Sequence, residues 1–193
     1  MNTKFIHEFE KYSYFLIVDF EATCCDKKTI ARNKMEIIEI GAVIVDSKTL
    51  LKLDEFTIFI KPILYPILTN FCKELTSITQ KDIDKSLNFP KAIKLFKKWL
   101  YKYDNFLFCS WGDYDKKQLQ QDCKLHNIAN PIGAEHINIK KLFSKSQNLK
   151  KKYGMAAALK VSNLKLEGFH HRGIDDARNM AKLMPYILGC KSI

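Results

Sequence analysis

The run Tyr14-Phe15-Leu16-Ile17-Val18 passes without a break into Asp19-Phe20-Glu21. A continuous β-prone apolar run reads as a strand covered on both faces, as in the central strands of α/β sheets. Residues i and i+2 of a strand point to the same side. The Asp19 and Glu21 carboxylates would therefore sit side by side at the end of a buried element. Like charges so placed resist joint ionisation unless a cation compensates them. Carboxylate oxygens suit a hard divalent ion such as Mg²⁺ or Mn²⁺. The same tripeptide also fits two surface acids that merely follow a strand.

The pattern downstream supports a mixed sheet. Ile37 to Val45 and Phe56 to Ile60 read as two more strands, with a hairpin turn at Asp46-Ser47-Lys48, so three sequential strands run antiparallel. From Phe89 to Tyr101 the period changes, and Ile93, Phe96, Trp99 and Leu100 share one helical face. Asn105 to Cys109 and His136 to Ile139 read as short strands. Tyr114 to Leu125, Tyr153 to Leu159 and Ile174 to Leu188 read as helices. Strands first, then helices alternating with strands, predict an α/β fold. The chain has 193 residues, with 7 Gly and 5 Pro, so a single domain over residues 1–193 is expected, its core at about residues 14–184.

Lys and Arg number 32 against 21 Asp and Glu, a formal charge of +11. Such an excess favours polyanionic partners, although solvated helix faces also carry lysine. The cysteines Cys24, Cys25, Cys72, Cys109, Cys123 and Cys190 form no C-x-x-C pair, which argues against a structural zinc site and for a reducing compartment. The opening MNTKFIHEFEKY lacks a signal-peptide stretch, and no apolar run is long enough to span a bilayer, so a cytoplasmic location without membrane contact is expected.

Two further clusters carry acids. Ser110-Trp111-Gly112-Asp113-Tyr114-Asp115 lies between a strand and a helix, where either aspartate could cap the helix or face a cleft. His170-His171-Arg172-Gly173-Ile174-Asp175-Asp176 precedes the last helix. Acids there complement the helix dipole, and an imidazole facing them is suited to base catalysis near neutral pH.

The order of these clusters resembles the DEDDh 3′→5′ exonucleases, whose fold is RNase H-like: a mixed sheet of three antiparallel strands plus parallel strands, flanked by helices. Asp19 and Glu21 match the first family motif. Asp115, with Leu119 four positions on, matches the second, and His171 and Asp176 match the third with spacing His-x4-Asp. Asp113, Asp175 and His170 then fall outside the set. Val18 to Cys24, Phe71 to Gln80, Ser110-Trp111 and His171 to Ala177 resemble the enhanced-RNA-interference and histone-mRNA 3′ exonuclease branch and bacterial relatives of a sporulation-kinase inhibitor. The resemblance covers about residues 14–184.

It implies hydrolysis from 3′ ends to 5′-mononucleotides with two divalent ions, Mg²⁺ or Mn²⁺, roughly 3.5–4 Å apart. Asp19, Glu21 and Asp176 would hold the first ion and its water. Asp19 would bridge to the second, Asp115 would position it through water, and His171 would take the proton. Phe20, Ala22, Thr23, Leu75, Thr76 and Trp111 would contact the terminal nucleotide, with Lys116, Lys117 and Arg172 near phosphates. The expected partner is a single-stranded 3′ end, RNA favoured over DNA. Rival readings are a non-catalytic protein-binding member of the fold and a polymerase proofreading subunit. The resemblance leaves open whether the chain is a monomer or a homodimer.

Overall fold

The computed structural model describes residues 6–27 and 29–193. Residues 1–5, on which the reading of the N-terminus falls, lie outside them. A short helix α1 (Ile6–Phe9) leads into β1 (Tyr14–Ala22), β2 (Ile37–Asp46) and β3 (Lys52–Lys61). Helices α2 (Asn70–Thr76) and α3 (Gln80–Asp84) and the two-residue β4 (Leu87–Asn88) follow. Next come α4 (Phe89–Leu100), β5 (Phe106–Ser110), α5 (Tyr114–Leu125) and β6 (His136–Asn138). The chain closes with α6 (Ile139–Ser146), α7 (Met155–Val161) and α8 (Gly173–Ile187).

The sheet order is β4-β3-β2-β1-β5-β6. β1, β2 and β3 pair antiparallel, as their sequence predicts, while β5 and β6 add parallel strands beyond β1. β1 is central, and Leu16, Ile17 and Val18 are fully buried. Alternating side chains feed two cores. On one face Phe15, Ile17, Val43 and Cys109 meet Ala177, Met180 and Leu183 of α8. On the other Leu16, Val18, Phe20 and Ile44 meet Phe96 and Trp99 of α4 and Leu119 of α5. The helical face expected from residue 89 onward is the one that packs: Ile93, Phe96, Trp99 and Leu100 are all buried.

Several boundaries differ from the sequence expectation. β3 begins at Lys52 rather than Phe56, because pairing with β2 extends the backbone through a mostly charged stretch, Lys52 opposite Val45 and Asp54 opposite Ile44. Ile139, expected in a strand, starts α6, where the Asn138 side chain accepts from the Lys141 amide at 3.1 Å and caps the helix. Segments 70–76 and 80–84 are helices capped by Thr69 and Thr79.

One contact fixes where α8 begins. A Cβ at Gly41 of β2 would lie 2.0 Å from the Gly173 carbonyl carbon, and a Cβ at Gly173 would lie 2.9 Å from the Asp19 carbonyl oxygen. Two glycines thus let the first turn of α8 rest directly on the β1–β2 backbone, at the end of β1 where the acids stand.

Candidate active site

Asp19 and Glu21 project from the same side of β1, opposite Gly41 and Glu39 of β2. Asp176 reaches them from the first turn of α8, and carboxylate oxygens of the three lie within 4.8 Å of one another. Glu21 and Asp176 are 9% and 5% exposed. Burial, and then the charges of Asp115 and Glu21, hold Asp19 well above the usual carboxylate range. Burial and the neighbouring Asp176 push Glu21 up to about 9. Asp176 is raised by burial, against the opposing hydrogen bond from His170. Acids so crowded and dehydrated are a donor set in need of positive charge. The residues present therefore fit divalent cations bound by oxygen.

Asp115 enters from the first turn of α5, 5% exposed. Its Oδ1 accepts from the Phe20 amide at 3.0 Å, which ties α5 to β1. Burial raises it to about 6, with that amide opposing. Asp115 lines the cleft but stands outside the tight carboxylate cluster. Asp113 is turned away to Lys141, 3.2 Å distant.

Both histidines meet Asp176, in different ways. His170 Nδ1 lies 3.0 Å from Asp176 Oδ2, and the ring stacks on His171 with centroids 4.0 Å apart. His171 donates its backbone N–H to Asp176 Oδ2 at 3.0 Å, with a left-handed φ of 67°. Burial, and then the adjacent His170, lower the His171 imidazole below its ordinary value, so it is neutral near pH 7 and able to accept a proton. Asp175 accepts from the Phe169 amide and from Arg178, a structural role.

The cleft encloses about 420 Å³. It is lined by Asp19, Phe20, Glu21, Ala22, Leu75, Trp111, Asp115, His171 and Asp176. Trp111 is half-buried and donates its indole N–H to the Tyr153 carbonyl at 3.1 Å, which holds the ring at the rim. Other residues expected at the substrate are placed elsewhere. Thr23 is 1% exposed and its hydroxyl accepts from the Glu36 amide. Thr76 is fully buried and donates to the Cys72 carbonyl. The Phe20 ring is in the core, because it alternates with the acids, and Phe20 also borders the cleft. Arg172 turns to Glu39 at 3.2 Å and lies over the Phe59 ring, outside the cleft lining. Lys116 and Lys117 are exposed on α5.

Sequence reasoning missed Tyr114, Gly154, Met155 and Met180 in the lining. Tyr114 carries the Arg32 guanidinium 4.1 Å above its ring. No local pattern marks these residues, since they reach the cleft only through packing.

A mixed sheet with acids converging at the end of its central strand defines the class, an RNase H-like nuclease fold. Residues 16–184 match the RNase_T family, described as Exonuclease, and the chain belongs to that family. Mouse ERI1 exoribonuclease 3 is 32% identical over 185 residues, covering 91% of this chain and 53% of its own length. The 3′-5′ exonuclease Snipper of Drosophila melanogaster is 33% identical over 195 residues, covering 91% of this chain and 69% of its own. The chain thus spans about half the length of the mammalian relative. Among solved structures, the nuclease domain of 3′hExo, a DEDDh family member bound to rAMP, superposes with a TM-score of 0.81. The two are 29% identical, and the match covers 93% of both chains. A 3′-exonuclease described in recognition of a histone mRNA stem-loop superposes at 0.84, with 28% identity, covering 93% of this chain and 64% of that one.

Proposed function

We propose that this chain is a metal-dependent 3′→5′ exonuclease acting on single-stranded 3′ ends, RNA in preference to DNA, and releasing 5′-mononucleotides. The observation that carries the reading is the convergence of Asp19, Glu21 and Asp176 within 4.8 Å, in a cleft that also holds Asp115 and His171. Family membership supports the reaction, and the names of the relatives support the preference for RNA.

Asp19, Glu21 and Asp176, with Asp115 beside them, would hold divalent cations, Mg²⁺ or Mn²⁺. Cations held by these residues would supply positive charge for the scissile phosphate and ease deprotonation of water. His171, neutral through burial, takes the proton from the attacking water. Its stacked neighbour His170 spreads over the same carboxylate and helps to screen Asp176. Leu75 and Trp111 flank the terminal base, where an aromatic face contributes about 1–3 kcal/mol whatever the base. Ala22 and Phe20 border the cleft beneath. Thr23, Thr76 and Arg172 have no part in this reading.

The test is degradation of 5′-labelled and 3′-labelled single-stranded RNA and DNA with Mg²⁺ or Mn²⁺, and with chelator. A ladder shortening from the 3′ end, faster on RNA and absent with chelator, is expected. No cleavage with either ion, or cleavage that survives chelation, overturns the proposal.

A further inference from the structure

Glu39 is fully buried on β2, in register with Glu21 on β1. A carboxylate so placed, beside three other acids, is costly unless its oxygens are satisfied. They are satisfied chiefly at one point of the chain, Arg172-Gly173, with a weaker contact from β3. Oε2 accepts from the Gly173 amide at 3.0 Å and from Arg172 Nε at 3.2 Å, and Oε1 accepts more weakly from the Thr57 hydroxyl at 3.4 Å.

Gly173 is the first residue of α8, so its amide is one of those a helix start leaves without an internal partner, and negative charge is favourable there. The residue before Arg172 is His171, in the left-handed conformation, and Asp176 lies in the same first turn of α8 that Gly173 begins. The Glu39 carboxylate therefore grips the chain midway between the proton acceptor and the carboxylate that α8 contributes. It does so from the strand next to the one bearing Asp19 and Glu21.

We propose that Glu39 is a positioning residue: by holding Arg172 and Gly173 it sets the loop carrying His171 and the first turn of α8 against the acids of β1. The inference rests on the nuclease reading for its kinetic consequence and on geometry alone for its structural one. Displacement of reacting groups by about 1 Å costs roughly 100-fold in rate.

Three variants test it. Glu39→Ala removes the grip. Glu39→Gln keeps an oxygen for Arg172 and Gly173 and turns its amide toward the Thr57 hydroxyl, which can accept. Arg172→Met removes one of the two donors and leaves the helix amide bonded. Glu39→Ala should lower kcat roughly 10–100-fold with KM within about twofold, and Glu39→Gln should restore kcat to within about threefold. Arg172→Met should lower kcat with KM unchanged, and it serves in place of Glu39→Ala if that variant does not fold. Amide hydrogen exchange across residues 170–174 should quicken in Glu39→Ala and stay near wild type in Glu39→Gln, a readout that needs no turnover.

A folded Glu39→Ala protein with wild-type kcat and wild-type exchange overturns the inference. So does a Glu39→Gln protein as impaired as Glu39→Ala, since charge rather than the hydrogen-bonded geometry would then matter. An Arg172→Met protein whose KM rises at unchanged kcat also overturns it, by assigning Arg172 to the substrate. If wild type cleaves nothing, the nuclease reading fails separately and the exchange pattern still decides the role of Glu39.

Discussion

At the level of single residues the site sets function against stability. Burial and mutual repulsion raise Asp19, Glu21, Asp115 and Asp176 together, so in the metal-free protein ionising these acids is costly and the folded chain takes up protons in place of a cation. Asp19→Asn removes one of those ionisable groups at constant shape. It should abolish cleavage yet raise the melting temperature in chelator, by about 2–4 °C for each kcal/mol relieved. Melting curves with and without Mn²⁺, beside an end-labelled substrate assay, measure both. A variant less stable than wild type in chelator would count against the electrostatic account. The adjacent histidines separate in the same assay. His171→Ala should lose roughly 10²–10⁴-fold, as for loss of a general base, and His170→Ala less than about tenfold. The reverse order would transfer the role to His170, whose Nδ1 lies against Asp176.

The elements are joined by close backbone approach more than by side-chain interdigitation at this end of the sheet. Gly41 and Gly173 have no room for a methyl group, because each would press on backbone of the neighbouring element. Gly41→Ala should therefore push α8 off β2 and cost about 1–3 kcal/mol, the usual penalty of overpacking. Activity should fall further than the folded fraction, since Asp176 travels with α8. Urea unfolding together with kcat per folded molecule tests this, and a fully active, fully stable Gly41→Ala protein would contradict the packing. β1 and β2 were legible from their apolar runs, and the packed face of α4 from its helical period. The helices α2, α3 and α6 were not, because they are short and are started by caps rather than by a long apolar stripe.

For the whole molecule the raised carboxylates make stability depend on pH and metal. Glu21 binds a proton up to about pH 9 in the folded chain, well above its ordinary range when unfolded. The folded state therefore holds more protons than the unfolded state between those limits, and stability falls as pH rises through that window. In chelator, the contribution of Glu21 to the melting temperature should decline from about pH 5 to pH 9, and Glu21→Gln should flatten that decline. Added Mn²⁺ should raise the melting temperature more at pH 8 than at pH 6, because binding displaces protons. An equal gain at both pH values would mean that the ion is held elsewhere. No helix among the described residues is long and apolar enough to cross a membrane.

The local sequence determined that Asp19 and Glu21 share a side, because a strand has period two and Val18 leaves no room for a turn before them. It also determined that an acid-bearing helix start follows His170-His171. Which acids meet was decided by the tertiary structure. Asp115 rather than Asp113 faces the cleft because the Phe20 amide, far away in the chain, draws it in. Thr23 and Thr76 are drawn into the interior, and the half-buried Arg172 onto Glu39, by partners that no local pattern reveals. Glu39 was read only as one residue of an apolar strand, and its grip on Gly173 spans contacts that arise when α8 docks on the sheet. Periodicity acts within an element, whereas hydrogen bonds between distant elements exist only once the chain has packed.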